Sequence, residues 1–171
     1  GRKEILGPKN ASPERLTHIQ AYCKDRMDIS MVEFDRETGL INLEDLGDRL
    51  SSKTAGLYIE NPSYLGSIEY RWDEISKKIH DNGSLLVVGV NPISLGLLKA
   101  PGSYGADVVT GDAQPLGVHM QCGGGTTGFV AVKEDDAFVN ELPSLVWTIT
   151  GLESGEAGFG FTYGRPLRLA Y

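Results

Sequence analysis

GADVVTGDAQPLGVHMQCGGGTTG, from Gly105 to Gly128, is the stretch on which the reading of this chain turns. A strand-like run, Ala106 to Val109, passes through small and polar residues to Gln114 and Pro115, then reaches three consecutive glycines, Gly123 to Gly125. Another strand-like run, Phe129 to Lys133, follows, so the stretch reads as a hairpin with a long glycine-rich corner. No lysine lies between Lys99 and Lys133. The corner therefore offers no primary amine for imine formation, and its turn is held by Gln114 and Pro115.

Upstream, strand-like and helix-like segments alternate. Lys3 to Leu6 reads as a short strand, and Ser12-Pro13-Glu14 opens a helix: serine can cap, proline is tolerated in the first turn, and the glutamate suits the helix start. Leu16, Ile19, Gln20 and Cys23 keep helical spacing to about Met27. Ser30 to Phe34 is the next strand, followed by a turn, Asp35 to Gly39, and a helix from Leu43 to Leu50 capped by Asn42. Thr54 to Ile59 is a strand, and Glu69 to Asp81 a helix with Trp72, Ile75 and Ile79 inward. Gly83 suits a left-handed C-cap. Ser84 to Val88, SLLVV, is apolar enough for a strand buried on both faces. Such alternation implies right-handed crossovers and a mainly parallel sheet between helical layers. Further on, a short helix is expected over Asp135 to Leu142, and strands over Ser144 to Thr150 and Gly158 to Tyr163.

A chain of 171 residues, 40% apolar and 23% charged, supports one soluble domain with a substantial core. It opens GRKEIL without methionine and stops at Tyr171 without a closing helix, which reads as a piece of a longer protein. No apolar run approaches the roughly 20 residues of a membrane span. The net charge of −7 argues against a nucleic-acid partner. Cys23 and Cys122 match no metal spacing and are read as reduced thiols of a cytoplasmic protein.

Several places invite chemistry, and each has a plainer reading. ENPSYLG, Glu60 to Gly66, follows a parallel strand, where open α/β sheets bind ligands. Asn61 and Ser63 could touch a ligand there, or the segment is a polar turn shaped by Pro62 and Gly66. VGVNPISLG, with Asn91, holds the equivalent place after the next strand. His119 lies in the hairpin with Gln114 and Gln121 and could orient a ligand or exchange a proton; no acidic partner is fixed by spacing. His18 and His80 are given no role, and Asp107 and Asp112 read as caps or turns. GGGTTG lacks the lysine of a phosphate loop and the helix and acidic residue of a dinucleotide fingerprint. It is read as a glycine corner, or as a plain tight turn.

The hairpin, with its glycine corner, resembles the cofactor-lysine hairpin of fold-type I pyridoxal-phosphate (PLP) enzymes. VNPISLGLLKAPGSYGAD (Val90 to Asp107), GDAQPLGVHMQCGG (Gly111 to Gly124) and the GFVAVK that follows resemble more narrowly the first-subunit branch of the glycine cleavage P-proteins, the glycine dehydrogenase (decarboxylating) family. ENPSYLGSIE resembles the family's preceding loop, with Asn61 and Ser63 as departures. The resemblance extends from Arg2 to Pro143. Beyond Pro143, and at QCGGGTTG where the family tends to carry an aromatic residue before two glycines and a proline after them, the chain departs from the pattern.

The resemblance implies the three-layer, mainly parallel α/β large domain of a fold-type I PLP-dependent transferase. Residues 1–171 would form one domain without the N-terminal arm or C-terminal small domain. It also implies a complete enzyme in which a homologous subunit 2 carries the PLP lysine, decarboxylates glycine and passes the aminomethyl group to lipoylated H-protein. In lysine-bearing subunits an aspartate holds the pyridine nitrogen; here that position falls at about Gly89, and the lysine at about Pro115. No catalytic residue, covalent cofactor or metal is therefore expected on this chain. Asn61, Asn91, Gln114, His119, Gly123 and Gly124 are the candidates for a shared site or interface. A scaffold or regulatory paralogue, and a fragment of an independent PLP-dependent aminotransferase or lyase, are the alternatives.

Overall fold

The computed structural model describes residues 1–119, 122, 127–142, 146–151 and 154–162. Two compact units are present, residues 1–131 and 132–171. The first alternates β1 (Glu4–Pro8), α1 (Pro13–Cys23), β2 (Asp28–Val32), α2 (Leu43–Arg49), β3 (Thr54–Asn61), α3 (Trp72–Asp81), β4 (Leu85–Val90) and β5 (Val108–Asp112). Together with β6 (Gly128–Val132), the strands form a six-stranded sheet in the order β2-β1-β3-β4-β5-β6. The pairs β1–β2, β1–β3, β3–β4 and β4–β5 are all parallel. The expected strand–helix alternation and parallel sheet are what the chain forms.

Local chemistry sets the boundaries. Asn42 caps α2 through its side-chain oxygen, which accepts the Glu44 and Asp45 amides at 3.0 Å each. The Asp35 carboxylate closes the following-strand turn by accepting the amides of Glu37 and Thr38. Gly83, at φ +68°, ends α3 in the left-handed region as its position suggested. Ser12 behaves differently: its side chain makes no capping bond, and its backbone amide is taken by a carboxylate from β3 instead.

The core lies on one face of the sheet. Leu57, Ile59, Leu86, Val88 and Val90 meet Leu46 of α2 and Trp72, Ile75 and Ile79 of α3. Tyr104, from the β4–β5 connection, stacks on Trp72 with ring centroids 4.2 Å apart. The opposite face carries α1, none of whose residues is fully buried. Beside it runs an apolar groove of about 250 Å³ lined by Ile5, Ile19, Met27, Leu85 and Val87 among others. SLLVV is accordingly not buried on both sides, since Leu85 is 42% exposed; its apolar composition reflects the groove as much as the core.

In the second unit, Asp135 caps the single-turn α4 (Asp136–Val139) through the Ala137 amide. The strands β7 (Val146–Gly151) and β8 (Ala157–Thr162) pair antiparallel.

Ile79 is wholly buried, so Ile79→Ala is expected to cost about 2–5 kcal/mol in urea unfolding. Ile19→Ala, on the groove side, is expected to cost clearly less.

Candidate functional site

The connection from β1 leads outward to β2, whereas that from β3 leads the other way to β4. The C-terminal ends of β1 and β3 thus flank a topological switch point, where open α/β sheets form their ligand crevice. What occupies that place here is Glu60, the penultimate residue of β3, only 4% exposed. One of its oxygens accepts the Ser12 amide at 3.0 Å, at the start of α1. The other accepts the Tyr58 hydroxyl at 3.0 Å and faces the Arg15 guanidinium at 3.4 Å. Burial, then the Glu60 charge, pushes the Tyr58 phenol well above its ordinary value. Arg15 is held above its own, the neighbouring Tyr58 and Glu60 overcoming the burial that opposes them.

Tyr58 also explains a glycine. In the β3–β4 register Glu60 lies opposite Gly89, and a Cβ on Gly89 would come within 2.6 Å of the Tyr58 hydroxyl oxygen. A side chain at 89 would require the Tyr58 ring to shift.

On the other face, Asn61 is 4% exposed and its side-chain oxygen accepts the Glu69 amide at 3.1 Å. Burial pushes Tyr104 up to about 12, with the neighbouring Asn61 amide opposing the rise. Glu69 is buried and bonded at both oxygens by Arg71, from Nε at 2.9 Å and Nη2 at 2.8 Å. Burial works against ionisation of Glu69, but the Arg71 bonds outweigh it and hold the carboxyl below its usual range.

The remaining candidates spread along the same edge of the sheet. Asn91 is exposed, and its side-chain oxygen accepts the Ile93 amide at 3.1 Å, capping the 3₁₀ turn Pro92–Gly96. Gln114 is half-buried, its amide donating to Asp112 at 2.8 Å. Pro115 and His119 are exposed. The hairpin closes as expected, the Ala113 amide donating to the Thr127 carbonyl at 2.6 Å. Gly123 and Gly124 lie outside the described residues. The carboxamide of Asn61 is thus spent inside the subunit, and what its loop shows to the surface is Tyr64 and Leu65. Tyr70, Ile93, Leu97 and Leu116 from this and the neighbouring loops are exposed as well.

Two features escaped the sequence reading. Glu60 was visible as an ionisable residue ending a β-branched and aromatic strand, a burial that demands partners, yet the partners come from α1 and could not be placed. The second lies at the opposite end of β4. There Asp107 is 4% exposed, accepts the Leu86 amide at 2.7 Å and pairs with His80 at 2.9 Å. It is neither a helix cap nor a simple turn, and His80 does have a partner. Both cysteines are free. Among the described residues no group of His, Cys, Asp and Glu could hold a metal, and no helix is long and apolar enough to cross a membrane.

The comparisons with known proteins agree with this geometry. A crystal structure of glycine decarboxylase (P-protein) of the glycine cleavage system, in inhibitor-bound form, superposes with a TM-score of 0.76 at 30% identity, over 95% of this chain and 35% of that one. A cystathionine gamma-lyase from Lactobacillus plantarum shares the fold at 20% identity and a TM-score of 0.64, over 81% of this chain and 34% of its own. The fold is the α/β large domain of the fold-type I PLP-dependent transferases.

Within that class, the family model for the glycine cleavage system P-protein matches residues 2–163, and the chain belongs to that family. The match runs past Pro143, where the resemblance was expected to stop, and takes in β7 and β8. Proteins described as probable glycine dehydrogenase (decarboxylating) subunit 1 are similar: 36% identical in Staphylothermus marinus and 38% in Aeropyrum pernix, each over 92% of this chain. The chain spans about a third of these relatives' length, 34% and 35% respectively.

Because Glu69 sits below its unfolded value near 4.5, its ion pair stabilises the fold above that pH and is lost as pH falls through the lower folded value. The stability gap between wild type and Glu69→Gln is expected to be widest at neutral pH and to close below about pH 4.5. Urea midpoints measured across that range check it.

Proposed function

We propose that these residues belong to a lysine-less subunit 1 of a two-subunit, cytoplasmic glycine decarboxylase. With a PLP-bearing subunit 2, it would support glycine decarboxylation and aminomethyl transfer to lipoylated H-protein. One observation carries the reading: a P-protein family match over residues 2–163 coincides with a hairpin whose exposed turn presents Pro115 and no amine. The similarity to proteins named as a first subunit supports a partnered enzyme over an independent aminotransferase or lyase.

The residues of this chain do not fit a resident PLP. Its turn lacks the lysine, and Gly89 offers no acid for the pyridine nitrogen, the Tyr58 hydroxyl lying 2.6 Å from where a Cβ there would sit. PLP and its chemistry are therefore assigned to subunit 2. This chain supplies walls and polar groups at the shared edge. Gln114 and His119, on the β5–β6 connection, are the residues taken to meet the partner's reacting groups, and Asn91 caps the neighbouring turn. The exposed apolar side chains Tyr64, Leu65, Leu97 and Leu116 suit burial against a second subunit, where pockets commonly form.

The polypeptide carrying these residues, mixed with subunit 2 and lipoylated H-protein, is expected to be required for release of labelled carbon dioxide from carboxyl-labelled glycine. Changing Gln114 and His119 together to alanine is expected to lower that rate about tenfold or more, the cost of about 1.4 kcal/mol lost at an interface. Full activity of the double variant would favour the scaffold role.

A further inference from the structure

We propose that the switch-point crevice of this chain is filled by its own side chains, with the Glu60 carboxylate standing where an anionic ligand would meet the start of α1. The inference rests on the geometry of Tyr58, Glu60, Arg15 and Gly89 and holds whether or not the chain works on glycine.

A helix start presents unpaired amides and the positive end of its dipole, so an anion delivered there is stabilised. In this chain that anion is intramolecular. Glu60 reaches the Ser12 amide at 3.0 Å, and its burial leaves the crevice closed to a second negative group. Arg15, the nearest cation, is already committed at 3.4 Å to the same carboxylate. The Tyr58 hydroxyl completes the set at 3.0 Å and carries its ring over Gly89, where a Cβ would lie 3.2 Å from the ring carbon bearing the hydroxyl. Among the described residues, the Ser12 amide, the Tyr58 hydroxyl and the Arg15 guanidinium all meet this one carboxylate. An external anion would have to displace a tethered carboxylate that pays no translational entropy to stay. The glutamate is thus a built-in ligand at this place.

Three measurements on the polypeptide without its partner test this. Calorimetric titration with inorganic phosphate, and with pyridoxamine 5′-phosphate, which lacks the aldehyde and forms no imine with surface lysines, is expected to show no saturable binding tighter than about 1 mM. Saturable micromolar binding of either probe to the wild type would overturn the proposal. Gly89→Ala is expected to lower the melting temperature more in wild type than in a Tyr58→Phe background, because the two groups compete for one space; equal drops would also overturn it. Glu60→Gln keeps the shape and removes the charge, and is expected to speed hydrogen exchange of the Ser12 amide, the one Glu60 accepts, at least tenfold while α3 is unchanged. Unchanged exchange at Ser12 would show that the carboxylate does not act as the ligand of that helix start, and would overturn the proposal. Decarboxylase assays with subunit 2 enter none of these readouts, so failure of the subunit reading and failure of this one are distinguishable.

Discussion

A carboxylate buried at the end of a parallel strand must find its partners nearby, and Glu60 finds three. Leaving such a charge unpaired in the interior costs several kcal/mol, so the geometry around it is not negotiable. The start of α1 has to arrive over the end of β3 to give the Ser12 amide, which fixes how the β1–α1 connection is routed. Arg15 must lie on the inward side of the first α1 turn. Tyr58 must lean across the neighbouring strand, and from that follows the requirement for glycine at 89. A single ionised group thereby couples the layout of two crossovers to the identity of a residue in a third strand.

This arrangement separates two properties that usually travel together in the fold class. The fold persists, as the match to the glycine decarboxylase structure shows, while on the reading proposed above the place where a ligand would rest is taken by Tyr58 and Glu60. The absence of an amine at the hairpin turn concerns one functional group. Occupation of the crevice by Tyr58 and Glu60 is a change of packing, and it is the harder of the two to undo by substitution.

Much of the architecture was legible in the chain. Periodicity located β3, α3 and β4, because Leu57, Ile59, Ile75, Ile79, Leu86 and Val88 form one continuous apolar interface. Asn42 and Gly83 marked helix boundaries by local chemistry alone. Where the sequence misled, the deciding contact was distant along the chain. Ser12 looked like a cap, but a carboxylate forty-eight residues away takes its amide. His80 looked unattached, and its partner Asp107 lies across the sheet edge, twenty-seven residues on. SLLVV looked doubly buried because composition does not say which face a neighbour covers. Asn61, read from its loop as outward-looking, turns inward because strand alternation sends it to the α3 face with Ile59.

The stack of Tyr104 on Trp72 has a use beyond cohesion. Tyr104 lies near the end of the connection that crosses from β4 to β5, and Trp72 opens α3, so the ring pair records whether that crossing segment is seated on the helix. With only two tryptophans in the chain, the emission of this indole acts as an internal gauge, reading the seating of the strand-end loops without any label having to be attached.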